Sequence, residues 1–365
     1  MGGRRLRALQ VEVTSRCTRC CAVCPRSALA GRWLDGDLSE DHWHRLRPDL
    51  KLAEHLHLQG WGEPLLHPRL EIMVADGQAA GCRVGLTSNG DLLRDATSWI
   101  VAAPLDVLAV SVAGGDESNR RLRGGALTSE ILDAVAEVAR RRRSRRQPML
   151  HVSFLLTRDN ATELEAVVRA AAEAGADAVF VNHLDCTPTV ELRELAAFSD
   201  GRVAGSVGGE LELAAAAARS SGIEIRLPEL EPQEMLTCAL DPRRVVSVRS
   251  DGQVAPCVML NLPVVGRVPR CTVDGGFEVE APVLGHLDSA SLADVLDGDA
   301  YRSFVRPFER RMAADAHYRE WGLTASGWGV VGLADLDRAY GELERSLADN
   351  PFPSACAGCP KKDGW

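Results

Sequence analysis

Between residues 6 and 227, short apolar runs alternate with longer amphipathic ones, and this alternation leaves few folds open to the chain. The spacing predicts strands over 6–13, 54–59, 83–88, 105–112, 149–157 and 177–183, and helices over 39–47, 68–80, 92–102, 128–143, 161–174 and 209–221. Single strands separated by single helices indicate parallel βαβ units, because a parallel pair needs a crossover long enough to hold a helix. Six such units fit an open barrel, and in parallel barrels the chemistry sits where the strands end. Beyond about residue 236 the alternation stops, Pro and Gly rise, and cysteines return. The expected class is therefore α/β, with a barrel domain over 1–227 and a smaller cysteine-rich domain over 228–365. That second domain reads as organised around metal rather than around a large apolar core.

Composition narrows the function classes. A hydrophobic fraction of 45% and a charged fraction of 25% are those of an ordinary soluble protein. The formal charge of −9 argues against general nucleic-acid affinity, which wants a basic field. No apolar run approaches a membrane span, and Arg4-Arg5-Leu6-Arg7 leads into a strand rather than a signal-peptide core. Eleven cysteines without a signal sequence read as metal ligands and free thiols, so the expected location is cytoplasmic. The run Arg140 to Arg146, broken only by Ser144, falls where the fourth helix should end. Cations are favoured there by the helix dipole, and a solvated helix end is a plainer reading than a site for an acidic partner.

Cys17, Cys21 and Cys24 follow the first strand at the spacing C-x3-C-x2-C. Cubane iron–sulfur clusters normally take four thiolates, one per iron. Three close thiolates can hold three irons and leave the fourth open, which suits catalysis better than electron relay. Cys17/Cys20 and Cys21/Cys24 are also C-x-x-C pairs, so zinc is the alternative on spacing alone. The second strand ends in Gln59-Gly60-Trp61-Gly62-Glu63-Pro64, where Gly62 permits close backbone approach, Pro64 stiffens the turn and Glu63 supplies a carboxylate. The third ends in Thr87-Ser88-Asn89-Gly90, a turn signal; the fourth carries Ser111, with Arg123 in the loop after it. The sixth ends in His183-Leu184-Asp185-Cys186. His183 and Asp185 are candidate proton acceptors and Cys186 a candidate hydrogen-atom donor, against the plainer reading of capping and packing.

In the C-terminal part, Cys238 precedes a hairpin whose Asp251-Gly252 turn returns the chain to Cys257. Cys356 and Cys359 form a last C-x-x-C pair. Four thiolates suffice for a fully ligated 4Fe–4S cluster and equally for structural zinc. Cys20, Cys82, Cys186 and Cys271 are left over, and buried free cysteine is usually structural.

Taken together, these motifs resemble the radical S-adenosylmethionine (radical SAM) superfamily, with the second-strand loop similar to its GGEP motif. Trp61 stands for the first glycine, with Gly60 one residue earlier, and Val23 occupies a position often aromatic in that family. The resemblance implies a partial (β/α)6 barrel whose open iron is chelated by the amino and carboxylate groups of S-adenosylmethionine. It implies cofactor contacts from Gly60, Gly62, Glu63, Pro64, Ser88, Asn89, Ser111 and Arg123. Glu63 would receive the methionyl ammonium, and Arg123 would fork the carboxylate.

The C-terminal cysteines are similar to the Twitch domain, a shortened SPASM extension, supported by Leu284-Gly285-His286-Leu287 and Tyr301-Arg302-Ser303-Phe304. That likeness implies one auxiliary 4Fe–4S cluster on Cys238, Cys257, Cys356 and Cys359, which accepts an electron from substrate or anchors it. The expected reaction is reductive cleavage of S-adenosylmethionine to a 5′-deoxyadenosyl radical, hydrogen abstraction, and net oxidation of a small-molecule biosynthetic intermediate. A flavodoxin or ferredoxin is the expected electron donor. Maturation of a ribosomally made peptide by crosslinking, oxidation or epimerisation is the alternative. Only 16 residues precede Cys17, which leans the expectation toward a small substrate or a separate recognition partner. A non-catalytic zinc-binding interaction protein is the alternative of another class.

Overall fold

The six predicted strands form in order and in parallel: β1 (Leu6–Val11), β2 (Ala53–Leu58), β3 (Arg83–Ser88), β4 (Val107–Val112), β5 (Met149–Leu156) and β6 (Ala178–His183). This is a computed structural model, which describes residues 5–143, 147–199, 201–326 and 333–365. The strand register aligns apolar side chains in rows. Val11 sits beside Leu58, Leu58 beside Leu86, Leu86 beside Leu108, and Leu108 beside Leu150, all essentially without exposure. Alternate positions are only half-buried, among them Thr87, Ser111 and Leu155. One face of the sheet therefore lies under the helices, while the inner face of an incompletely closed barrel stays open to a ligand.

The helices are α1 (Pro25–Ala28), α2 (Glu40–Leu46), α3 (Leu70–Ala79), α4 (Leu93–Ala102), α5 (Asp116–Leu122), α6 (Thr128–Arg141), α7 (Leu164–Glu173), α8 (Val190–Leu195) and α9 (Gly201–Ser221). α9 starts eight residues before the expected 209, and buried Val207, Leu211, Ala214 and Ala218 give it one apolar stripe. A seventh parallel strand, β7 (Glu224–Arg226), extends the sheet past β6. Its three residues carry one apolar side chain between two charges, too little for a period-2 pattern to show.

The later strands are β8 (Val245–Val248), β9 (Gln253–Ala255), β10 (Val268–Thr272), β11 (Gly275–Val279) and β12 (Gly285–His286). They precede α10 (Leu292–Asp297), α11 (Asp299–Ser326) and α12 (Leu333–Asp349). The predicted hairpin is β8–β9, with Val248 opposite Val254. β8 lies parallel to β1, so the barrel sheet runs without a break into the C-terminal part in the order β12-β9-β8-β1-β2-β3-β4-β5-β6-β7. The expectation of little apolar core there needs correction. Leu284, Leu287, Leu292, Val295, Leu296, Phe304 and Phe308 are buried in the cluster that holds the barrel strands. Side-chain bonds add to this seam: His42 on α2 bonds Asp288 (Nε2 to Oδ1, 2.8 Å), and Arg45 donates to the Asp288 carbonyl at 2.7 Å. Among the described residues, no helix is long and apolar enough to cross a membrane.

The arginine run divides in two. Arg140 and Arg141 are solvated partners of Glu137, as expected of a helix end. Arg142 instead is buried and bonds both oxygens of Asp177, the Pro148 carbonyl at 2.9 Å and the Gly175 carbonyl at 3.2 Å. Ser144, Arg145 and Arg146 lie outside the described residues. Removing one partner of a buried pair strands the other charge, whereas an exposed pair is worth little. Arg142→Ala is expected to lose about 3–5 kcal/mol in chemical denaturation. Arg140→Ala should change it by less than about 1 kcal/mol.

Candidate active site

The cysteine loop leaves the end of β1 and is held from several sides. The Glu63 N–H donates to the Arg16 carbonyl at 2.8 Å, and Trp33 Nε1 donates to the Ser15 carbonyl at 3.2 Å. Asp91, just past the β3 turn, accepts from Thr18 Oγ1 at 2.6 Å and from Arg19 Nε at 2.9 Å. Against the cost of burial, these bonds hold the Asp91 carboxyl below its ordinary value. Asn89 Nδ2 reaches both Thr18 Oγ1 (2.9 Å) and the sulfur of Cys17 (3.6 Å). Cys24 caps the short α1, whose first residue is Pro25. Cys17, Cys21 and Cys24 all line one cavity, whereas Cys20 is exposed and does not. Burial raises the Cys21 thiol and pushes Cys24 up to about 12, a cost removed when a metal takes the thiolate.

The loop after β2 requires its two glycines because the cysteine loop lies against it. A Cβ at Gly62 would fall 2.3 Å from the Thr14 carbonyl oxygen and 2.4 Å from that of Arg16. A Cβ at Gly60 would strike the side chain of Glu12. The Glu63 carboxylate is 1% exposed. It accepts from Ser88 Oγ (2.9 Å), the Asn89 N–H (2.6 Å) and the Leu65 N–H (3.1 Å). Burial nonetheless raises it. A carboxylate offers about four acceptor positions, so these three donors leave one for a ligand.

The sequence reading missed Glu12. Its signal is a charge inside the apolar run Val11-Glu12-Val13. Oε2 accepts from the Trp61 N–H at 2.8 Å, and Oε1 accepts from Ser250 Oγ at 3.0 Å in the β8–β9 turn. Burial raises this carboxyl to about 7 against those bonds.

The same cavity collects Gly60, Trp61, Gly62, Glu63, Ser88, Asn89, Ser111, Arg123, Asp185 and Cys186. Pro64 is buried behind it. Two polar atoms among the lining residues are buried without a partner, Trp61 Nε1 and Arg123 Nε. Arg123 carries its charge amid the three loop thiols, and burial lowers its guanidinium. His183 is not brought in. Its Nε2 donates to the Glu229 carbonyl at 2.7 Å and its ring stands edge-on to Phe198, so the strand's alternation turns it away from the lumen. Asp185 does line the cavity and is held by Lys361 (Nζ to Oδ2, 2.6 Å), a residue no motif singled out. Cys186 forms buried wall, and burial drives its thiol upward.

Cys238, Cys257, Cys356 and Cys359 also converge. Each of Cys257 and Cys356 is raised by burial first and then by Cys359 and Cys238. Cys271 is engaged elsewhere, its N–H on the Thr187 carbonyl at 2.9 Å and its sulfur toward the Thr272 carbonyl.

Residues 11–181 match the Radical SAM superfamily, and residues 238–319 match SPASM, an iron–sulfur cluster-binding domain. The tungsten-containing aldehyde ferredoxin oxidoreductase cofactor-modifying protein of Pyrococcus furiosus is 25% identical over 322 residues, 82% of this chain and 83% of its own. Streptococcus suis SuiB bound to precursor peptide SuiA has the same fold, with a TM-score of 0.60 at 14% identity over 83% of this chain and 67% of that one. So does anSMEcpe with bound AdoMet, with a TM-score of 0.60 at 15% identity over 96% of this chain and 97% of that one.

Gly62→Ala is expected to displace the cysteine loop, so the iron content after anaerobic reconstitution falls while the circular dichroism spectrum stays that of wild type. Glu12 gives a pH signature. Its folded value is raised, so its contribution to stability is present below the ordinary carboxylate range and is lost as pH rises through about 7. Between pH 4 and 8, Glu12→Gln should gain roughly 3 kcal/mol relative to wild type, read by denaturation at each pH.

Proposed function

This chain belongs to the radical SAM superfamily and carries a SPASM-type domain, and from that premise we propose that it catalyses net oxidation of a small polar molecule. Its cofactors are S-adenosylmethionine and 4Fe–4S clusters. When bound, they supply a 5′-deoxyadenosyl radical that takes a hydrogen atom from an unactivated carbon, and a second cluster that takes the electron left behind. The family matches displace the zinc-scaffold alternative.

The residues present fit those groups. Cys17, Cys21 and Cys24 would hold the first cluster, and Cys238, Cys257, Cys356 and Cys359 the second. The orphaned Arg123 Nε suits a carboxylate, the orphaned Trp61 Nε1 suits an acceptor on the ligand, and the free acceptor position of Glu63 suits an ammonium. Ser88 and Asn89 aim Glu63, while Ser111 lines the cavity from the adjacent strand β4. Beyond them Leu155, Leu184, Asp185 and Cys186 form the wall left for substrate. Asp185 is placed to orient a hydroxyl or amine beside the target carbon and to receive its proton. Apolar Leu155 and Leu184 help exclude water from the reacting atoms.

One observation carries the oxidative reading. Cys186 lines the cavity together with Cys24 of the first set, and Thr187 beside it accepts the N–H of Cys271 on β10. The neighbour of Cys271, Arg270, bonds the Met259 carbonyl beside Cys257 of the second set. A cluster held by the second set would supply an acceptor for an electron lost by substrate at that wall. The small-substrate reading rests on Lys361, which fixes the Asp185 carboxylate in the cavity wall at 2.6 Å. The Pyrococcus furiosus relative, named for modifying a cofactor, agrees with it. A peptide is the second reading, because SuiB was solved with a precursor peptide and anSMEcpe with a Cp18Cys peptide. A flavodoxin or ferredoxin would supply the priming electron.

Reconstituted anaerobically, the chain should hold about eight irons, and Cys257→Ala about four. With reductant and S-adenosylmethionine, wild type and Cys257→Ala should both release 5′-deoxyadenosine, and Cys17→Ala none. Only wild type should form the oxidised product. Full product from Cys257→Ala would overturn the oxidative role, and turnover of a co-encoded peptide alone would overturn the small-molecule half.

A further inference from the structure

Arg270 brings a charge into the protein interior without a counterion. It lies in the middle of β10 and is 3% exposed. Among the described residues no carboxylate pairs with it; its one bond runs from Nη2 to the Met259 carbonyl at 2.8 Å, and its Nε is buried with no partner. A guanidinium has five N–H donors and cannot shed its charge, so it cannot escape the cost of burial as a lysine can by losing a proton. An uncompensated cation at this depth calls for an anion the polypeptide itself does not provide.

The surroundings say which anion. Met259, which takes the one bond, lies two residues past Cys257, in the turn that Cys257 caps. The residue after Arg270 donates its N–H to Thr187, next to Cys186. Opposite Arg270 on β11 stands Phe277, whose ring fills the space where Gly358 lacks a Cβ, between Cys356 and Cys359. Three cysteine-bearing segments thus meet around one arginine.

We propose that Arg270 is a positioning residue for the auxiliary cluster: its unpartnered Nε–H would be available to the cluster's sulfurs, and its charge would offset the cluster's own. An electron added beside a fixed cation is stabilised, so Arg270 raises the reduction potential and suits the cluster to accept from the cavity side, where Cys186 lies. The effect is electrostatic, through hydrogen bonds to sulfur and net charge near the iron, two levers that set such potentials. It rests on the reading that Cys238, Cys257, Cys356 and Cys359 hold a cluster.

The test is an anaerobic redox titration of the fully reconstituted chain, followed by electron paramagnetic resonance, for wild type, Arg270→Gln and Arg270→Lys. The first-site cluster serves as internal reference. In Arg270→Gln the auxiliary reduced-to-oxidised ratio at fixed potential should fall about tenfold, equivalent to about 59 mV for one electron, with the first-site ratio unchanged. Arg270→Lys keeps the charge but not the fork and should fall by less than about threefold. Arg270→Gln with full iron and a wild-type ratio overturns the proposal. If Arg270→Gln empties the site, Arg270→Lys decides, and a tenfold fall there overturns it too. Wild type holding only about four irons would sink the cluster reading underneath, an outcome distinguishable by iron content alone.

Discussion

One buried carboxylate ties the architecture to the chemistry. Glu12 stands where β1 gives way to the cysteine loop, its backbone N–H on the β8 carbonyl of Val248 at 2.8 Å. Its two oxygens hold the loop after β2 and the β8–β9 turn. A carboxylate here is expensive to bury, and its raised pKa records the cost. What it secures is the mutual placement of three segments distant in sequence: the thiol loop, the Gly-Trp-Gly-Glu turn and the C-terminal hairpin. Neither glycine of that turn has room for a side chain once the three are in place.

The two cysteine sets share an electrostatic arrangement. Desolvation makes the thiols of Cys24 and Cys257 resist ionisation, yet metal ligation needs thiolates. Beside each set lies an arginine whose Nε is buried without a partner, Arg123 at the first and Arg270 at the second. At both sites cationic donors are therefore built in before any cofactor arrives, and the fold carries an unfavourable charge until one does. Cys186 and Asp185 line the cavity of the first set just past the end of β6, and Thr187 beside them accepts the Cys271 N–H from β10.

Much of the barrel was legible because its strands obey a local rule. Each of the six predicted parallel strands was observed within two residues of its expected ends, since a half-buried strand displays its period in its own sequence. Most named cavity residues followed, since residues at successive strand ends of a parallel barrel must face the same mouth. His183 shows where that argument stops, because a shift of one position along a strand reverses the face. The same limit explains Arg142, which reads as one more cation in a basic run until β6 brings Asp177 beside it. The helices α11 and α12 were illegible for another reason: their apolar positions are diluted by charges, and the surfaces they cover are made by other segments.

The residue order therefore specified ligand types, the spacing of Cys17, Cys21 and Cys24, and the parallel βα course of the barrel, all properties of segments a few residues to a few turns long. Folding alone brought β8 beside β1, Lys361 onto Asp185 and Arg270 among cysteines from three separate segments. These are contacts between residues far apart along the chain. No local period encodes them, because their energies depend on burial and on a partner's charge, and neither exists until the sheet has closed over its core.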